Sequence, residues 1–344
     1  MNKKRKINRG VMLLSQKEVG DTLSLSECIG AVEKAYTQFS EGVTLQPPIV
    51  SMMMDDRDGE VDVKTGFIAA HNMIGVKVAA GFYKNEVLYG IPSWPSIILL
   101  ADGETGFPCA VMDGGYITTV RTGAAGAVGA KYLARQESET VLIVGAGNQA
   151  RIQLHGLKEV LPKLRKVYVY SPVDGEVERY IFEMGAATGL SITGLNEVDR
   201  LAEAAYIADV IVTVTPAREP LIWREWVRPG THINAIGSDG PGKQELDPCI
   251  LRDAKVVADS FKQTSLLGEC QHAVQAGYMS IDGVGLWAEI GEVVSGKKAG
   301  RENAEEITVF DATGMAVLDV AVATVVYERS AKKESTKYFQ MMHV

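Results

Sequence analysis

The chain has 344 residues, 46% hydrophobic and 23% charged, with a net charge of -8. These proportions exclude a disordered or collagen-like chain, four scattered cysteines exclude a disulfide scaffold, and the acidic balance speaks against a nucleic-acid partner. At about 100–200 residues per domain two domains are expected; the one skew is glycine, 35 residues, roughly 10% against a usual 7%.

The basic cluster Lys3, Lys4, Arg5, Lys6 and Arg9 reads as a solvated terminus. No apolar signal segment follows it, and no run reaches the ~18 residues of a membrane span. With Cys28, Cys109, Cys249 and Cys270 lacking any metal-binding spacing, a reduced, cytoplasmic chain without a metal site is expected. Residues 22–41 predict an amphipathic helix, with Ser24 or Ser26 as cap and Cys28, Ile29, Val32 and Tyr36 on one face. Short strands follow at 49–54, 65–70, 74–80, 96–100 and 109–112, divided by Gly- and Asp-rich turns.

Residues 116–134 predict a helix capped by Thr118 or Thr119. It carries Gly123, Gly126 and Gly129, three apart, although glycine costs a helix about 1 kcal/mol against alanine. A neighbouring backbone or a ligand therefore passes close to that face. From 139 onward strands at 140–144, 166–170, 208–215, 231–236, 255–258 and 307–310 alternate with helices at 149–159 and 176–187, and an apolar helix follows at 314–327. Such alternation implies a mostly parallel sheet covered on both faces.

The sharpest motif is Gly145-Ala146-Gly147-Asn148-Gln149-Ala150, set directly after the apolar run 140–144 and opening a helix. Gly145 permits the tight turn, Gly147 lets backbone approach a pyrophosphate, and the small Ala150 lets helix and strand pack closely. A dinucleotide, NAD or NADP, is the expected ligand. The end of the next strand, Ser171-Pro172, shows neither the acidic residue of an NAD site nor the arginine of an NADP site.

Four motifs carry a family resemblance: Gly75-Val-Lys77-Val with Gly90-Ile-Pro92-Ser93; Thr118-Thr-Val-Arg121-Thr122-Gly-Ala-Ala; the glycine motif at 145–150; and Gly237-Ser238-Asp239-Gly-Pro-Gly242-Lys243-Gln-Glu245-Leu. On these, from residue 12 to about 330, the chain resembles the ornithine cyclodeaminase / mu-crystallin family. The resemblance implies an α/β fold: a Rossmann-type, doubly wound, mostly parallel sheet over 129–315, beside a discontinuous α+β substrate-binding and dimerisation domain over 1–128, completed by the C-terminal helix in 316–344. It implies a homodimer acting on a small amino or imino acid. Asp239 and Lys77 would be catalytic, and Arg121, Lys64 and Ser93 substrate-binding. Gly145, Gly147, Asn148, Gln149, Ala150, Ser171, Thr215, Gly237, Ser238 and Thr122 would hold the cofactor.

That assignment agrees with the chemistry of the residues. A fixed arginine grips a carboxylate in two-pronged fashion, and a carboxylate such as Asp239 stabilises or relays the proton of an imine. One departure stands out. Many members carry an arginine shortly after the Gln46-Pro47 segment; here Ile49 takes that place, and Lys64 stands where many members are apolar. The implied activity is NAD(P)-dependent hydride transfer at the α-carbon of an amino or imino acid. The alternatives are an ornithine cyclodeaminase-type lyase with retained NAD, and a non-catalytic, crystallin-like binding protein.

Overall fold

The computed structural model describes residues 10–82, 84–195 and 197–341, so the basic cluster at Lys3 to Arg9 lies outside the described residues. The chain forms two compact units, Met1–Arg121 with Met315–Val344, and Thr122–Gly314.

The first unit begins with β1 (Val11–Leu14), α1 (Gln16–Gly20) and α2 (Leu25–Ser40). Ser24, not Ser26, caps α2: its hydroxyl accepts the Glu27 N–H while the Glu27 carboxylate accepts the Ser24 N–H. Cys28, Ile29, Val32 and Tyr36 are buried as the spacing required. Then come β2 (Thr44–Leu45), β3 (Val50–Met54), β4 (Gly59–Ile68), β5 (Met73–Phe82), α3 (Asn85–Tyr89), β6 (Ser96–Asp102) and β7 (Pro108–Asp113). Strands β4 to β7 form an antiparallel meander, β2 and β3 pair with β4, and β1 joins β7 in parallel. β4 starts well before the expected 65, because Glu60, Asp62 and Lys64 interrupt its apolar pattern while its backbone pairs with β5 from Gly59↔Phe82 to Ile68↔Met73.

α4 (Gly115–Leu133) starts ahead of both threonines expected to cap it. The Asp113 carboxylate accepts the Tyr116 N–H at 2.8 Å, which leaves Thr118 and Thr119 inside the first turns. The boundary between the units falls within this helix, at Arg121/Thr122, ahead of the expected 128/129. Gly123, Gly126 and Gly129 explain why: a Cβ on them would strike Ile152, Gln153, and Phe310 with Asn234. This stretch is thus packed into the second unit, and close packing accounts for the three-spaced glycines.

In the second unit β8 (Thr140–Val144), α5 (Asn148–Val160), β9 (Lys166–Tyr170), α6 (Glu176–Thr188), β10 (Ser191–Leu195), α7 (Val198–Ile207) and β11 (Val210–Thr213) alternate. They are followed by β12 (Arg218–Ile222), β13 (His232–Ala235), β14 (Gln244–Leu246), α8 (Pro248–Asp253), β15 (Lys255–Ala258), α9 (Phe261–Leu267), α10 (Cys270–Gln275), β16 (Ala288–Glu289), α11 (Ile290–Val294) and β17 (Thr308–Asp311). Among the described residues the main sheet is parallel throughout, ordered β10-β9-β8-β11-β13-β17-β15-β16. Val141 and Ile143 enter one core with Leu154, Leu157 and Tyr180; Leu142 and Val144 enter the other with Ile211, Ile233 and Leu201. Burial on both faces is why β8 reads as an unbroken apolar run.

The chain returns to the first unit as α12 (Ala316–Ser330) and β18 (Tyr338–Phe339), which pairs antiparallel with β1. α12 crosses β4, β5 and β6. The opposed pair Gly66↔Gly75 lies beneath it, and a Cβ on either would meet Val320. These two glycines therefore set how closely the helix approaches the sheet.

Candidate active site

Residues 64 and 66 on β4 and 75 and 77 on β5 are two steps apart in directly opposed pairs, so Lys64 and Lys77 share the face that α12 covers. The glycine pair brings Asp319, in the first turn of α12, down onto this face. The Lys77 ammonium forms an ion pair with Asp319 Oδ2 at 2.7 Å, and Arg121 Nε, arriving from α4, donates to Asp319 Oδ1 at 3.0 Å. Lys77 Nζ also donates to the Thr118 hydroxyl at 3.3 Å. All three charged side chains are buried: Lys77 is 3% exposed, Arg121 6% and Asp319 1%.

The electrostatics follow from this burial. Desolvation pushes the Lys77 ammonium down to about 7; Asp319 opposes that shift, while Arg121 and Lys64 add to it. Burial alone would raise Asp319, but Arg121 and Lys77 hold its carboxyl below the usual range. The expected residues Lys77 and Arg121 are thus brought together, with Lys64 beside Lys77. Ser93 lies on the segment between α3 and β6, where its carbonyl accepts the Phe82 N–H at 2.8 Å. Asp319 escaped the sequence reading, although it is the lone charge in the apolar stretch 316–327. A single charge in such a run is the signal that identifies it.

In the second unit the order of strands reverses between β8 and β11, the place where open α/β sheets take their ligands. Gly145, at φ +108, turns the chain out of β8, and a Cβ there would stand 2.8 Å from the Val214 carbonyl. Gly147 begins α5 as its N-cap without a side-chain cap, and a Cβ on it would meet nothing within 4 Å. Gly147 and Asn148 are exposed, Ala150 is buried under the helix, and Gln149 Oε1 is buried with no hydrogen-bond partner. An open helix start with free N–H groups and an unsatisfied amide beside it fits a dinucleotide pyrophosphate.

The loops after β11 and β13 are tied by a residue the sequence reading did not single out. Glu245 Oε1 accepts the Thr215 N–H at 2.6 Å and its hydroxyl at 2.7 Å, and Oε2 accepts the Gly237 N–H at 2.9 Å. Burial pushes the Glu245 carboxyl up to about 7 against these donors. Several residues expected at the cofactor also bond within the protein itself. The Thr215 hydroxyl serves Glu245, and the buried Ser238 hydroxyl donates to the Lys243 carbonyl at 2.9 Å. The Thr122 carbonyl accepts the Gln153 amide at 2.8 Å, and the Ser171 hydroxyl donates to Glu176 at 2.8 Å. The side chains of Thr215, Ser238 and Ser171 thus help to shape the loops, while Thr122 bonds through its main chain. Asp239 is half exposed on the loop after β13 and pairs with Lys243 at 2.6 Å. Among the described residues no cluster of three or more His, Cys, Asp and Glu is placed to hold a metal ion, and no helix is long and apolar enough to cross a membrane.

The family model described as "Ornithine cyclodeaminase/mu-crystallin family" matches residues 9–334, and so spans both units and all four motifs. The chain belongs to the ornithine cyclodeaminase/mu-crystallin family. It is 41% identical over 339 residues to an alanine dehydrogenase of Archaeoglobus fulgidus, covering 96% of this chain and 99% of that one. An archaeal alanine dehydrogenase dimer with bound NAD superposes with a TM-score of 0.89 at 38% identity, covering 96% of this chain and 99% of the other. A Δ1-pyrroline-2-carboxylate reductase of Thermococcus litoralis, in complex with NADH and L-proline, gives a TM-score of 0.89 at 33% identity over 95% of this chain and 99% of that chain. The α/β fold expected from the family resemblance is the one observed.

Proposed function

We propose that this protein is an NAD(H)-dependent oxidoreductase that interconverts an α-imino acid and its α-amino acid. The observation that carries this reading is the buried cluster Lys77–Asp319–Arg121, whose net positive charge suits a substrate carboxylate. Arg121 supplies the planar grip on that carboxylate, and Asp319 holds both cations in place. A nicotinamide, when bound, would supply or accept the hydride. Gly147 to Gln149, at the start of α5, would hold its pyrophosphate. Lys77, with an ammonium shifted to about 7, holds or releases a proton at Nζ near neutral pH. Asp239 handles the proton of the substrate nitrogen. Glu176, bonded to Ser171 just past β9, places a carboxylate where a 2′-phosphate would be repelled, which favours NAD over NADP. The relatives support the reading, since they include an alanine dehydrogenase with bound NAD and a Δ1-pyrroline-2-carboxylate reductase in complex with NADH and L-proline. The protein works as a homodimer, like the alanine dehydrogenase it resembles.

The test is the absorbance of reduced nicotinamide, followed with 2-oxo acids plus ammonium or cyclic imines in one direction and with amino acids in the other. Net oxidation of NADH by an imine is the expected result. Ammonia release from ornithine with no net cofactor change would overturn it in favour of a cyclodeaminase. Asp239→Asn is expected to lower kcat by about a hundredfold with NADH affinity retained; unchanged turnover removes Asp239 from its role.

A further inference from the structure

Lys64 is not accounted for by the grip on one carboxylate. It stands directly opposite Lys77 on the neighbouring strand, and like charges so opposed destabilise a sheet. Lys64 contributes to depressing the Lys77 ammonium, and it is among the cations that hold Asp319 ionised. Yet among the described residues it has no ion-pair or hydrogen-bond partner of its own. Asp319 already faces two nearer cations, with one oxygen toward Arg121 and the other toward Lys77. The nearest carboxylate along β4 on the same face, Asp62, accepts the Ser51 hydroxyl at 2.6 Å. The residue that leads into β3 on the other side of β4 is the apolar Ile49.

The charge count is then simple. Lys77, Arg121 and Asp319 together carry one positive charge in excess, which one substrate carboxylate neutralises. Lys64 adds a second. It is half-buried on the same face, one strand further out, where strands lie about 4.8 Å apart. From that offset the ammonium can reach a group on the substrate side chain. α12 adds to the field, because it starts at this cluster without a side-chain cap and its N-terminal end is positive.

We infer that Lys64 binds a second carboxylate of the substrate, so that the enzyme takes an α-imino acid with an anionic side chain in preference to one with an apolar side chain. This rests on the imino-acid reading above. Lys64 is a specificity residue and takes no part in the hydride step.

The experiment compares kcat/KM for NADH oxidation with ammonium plus oxaloacetate or 2-oxoglutarate against ammonium plus pyruvate or 2-oxobutanoate. It is run for the wild type, Lys64→Met and Lys64→Arg. A charge-assisted contact predicts a preference of about ten- to a hundredfold for the dicarboxylic substrates. Lys64→Met should abolish that preference, mainly through KM; the readout is the ratio between the two substrate classes, because loss of Lys64 also moves the Lys77 ammonium and so shifts all substrates together. Lys64→Arg should keep the preference. A preference for monocarboxylic substrates in the wild type, or a ratio unmoved by Lys64→Met, overturns the inference and leaves the proposed reaction standing. Absence of turnover with every substrate sinks the reaction instead. In that case thermal shift without cofactor decides: succinate must stabilise the wild type more than propionate does, and Lys64→Met must remove the difference. Equal shifts from the two acids overturn the second-carboxylate site whatever the enzyme turns over.

Discussion

At the residue scale the decisive group is Asp319. Two buried cations converge on one carboxylate, and removing one partner of such an arrangement costs more than the arrangement contributes, because it leaves charge buried and unpaired. Asp319→Asn should destabilise the protein by about 3–5 kcal/mol, read from denaturant unfolding. It should also lower the Lys77 pKa further, since Asp319 is the charge that raises it. The limb of the pH–rate profile belonging to Lys77 then moves to lower pH by roughly one to three units. A variant that unfolds as the wild type does, with the limb in place, would show that Asp319 is not the counter-ion. Lys77 and Arg121 were legible through family motifs. Asp319 was visible only as one acid in an apolar run, and its partners come from strands and helices roughly 200 to 240 positions away in the chain, so no local pattern exposed it.

At the scale of elements, the glycines divide by what they meet. Gly66 and Gly75 let α12 lie on β4 and β5, and Gly75→Ala would force its methyl into Val320. Overpacking of this kind costs about 1–3 kcal/mol. Because the displaced helix carries Asp319, the same change should weaken substrate binding more than NADH binding, measured by comparing the two affinities. In the second unit the loops after β11 and β13 hang on Glu245, whose carboxyl is raised from 4.5 to about 7 by burial. A raised folded pKa means the folded state binds the extra proton, so the stabilisation is complete below about 4.5 and is lost as pH rises through about 7. The wild type should therefore lose stability relative to Glu245→Gln across that window, seen as a shrinking difference in Tm. A difference that stays flat with pH would place the carboxyl near its ordinary value. The element boundaries missed from sequence share one cause: β4 is half polar, and β10 is recognisable as a strand only by its pairing with β9.

At the scale of the whole molecule, the first unit exposes apolar side chains on β3, with Val50 62%, Met52 55% and Met53 63% exposed. Val50 and Met52 lie on one face of this strand and Met53 on the other, and such exposed apolar groups suit an interface between copies. The wild type should elute at twice the chain mass in size-exclusion with light scattering, and Met52→Lys with Met53→Lys should shift it toward the monomer; a monomeric wild type would refute this assembly. What the sequence by itself determined was the parallel sheet, through alternating apolar strands and helices, and the nucleotide-binding turn, through Gly145 to Ala150. Those signals are local: a strand, its turn and the next helix fit in one short window. Only the tertiary structure decided that α12 comes back across β4 and β5, that Asp319 meets Lys77 and Arg121 there, and that Lys64 is left beside them without an ion-pair partner of its own among the described residues. Charge balance in a buried site is a property of neighbours in space, and here those neighbours are contributed by four separate stretches of chain.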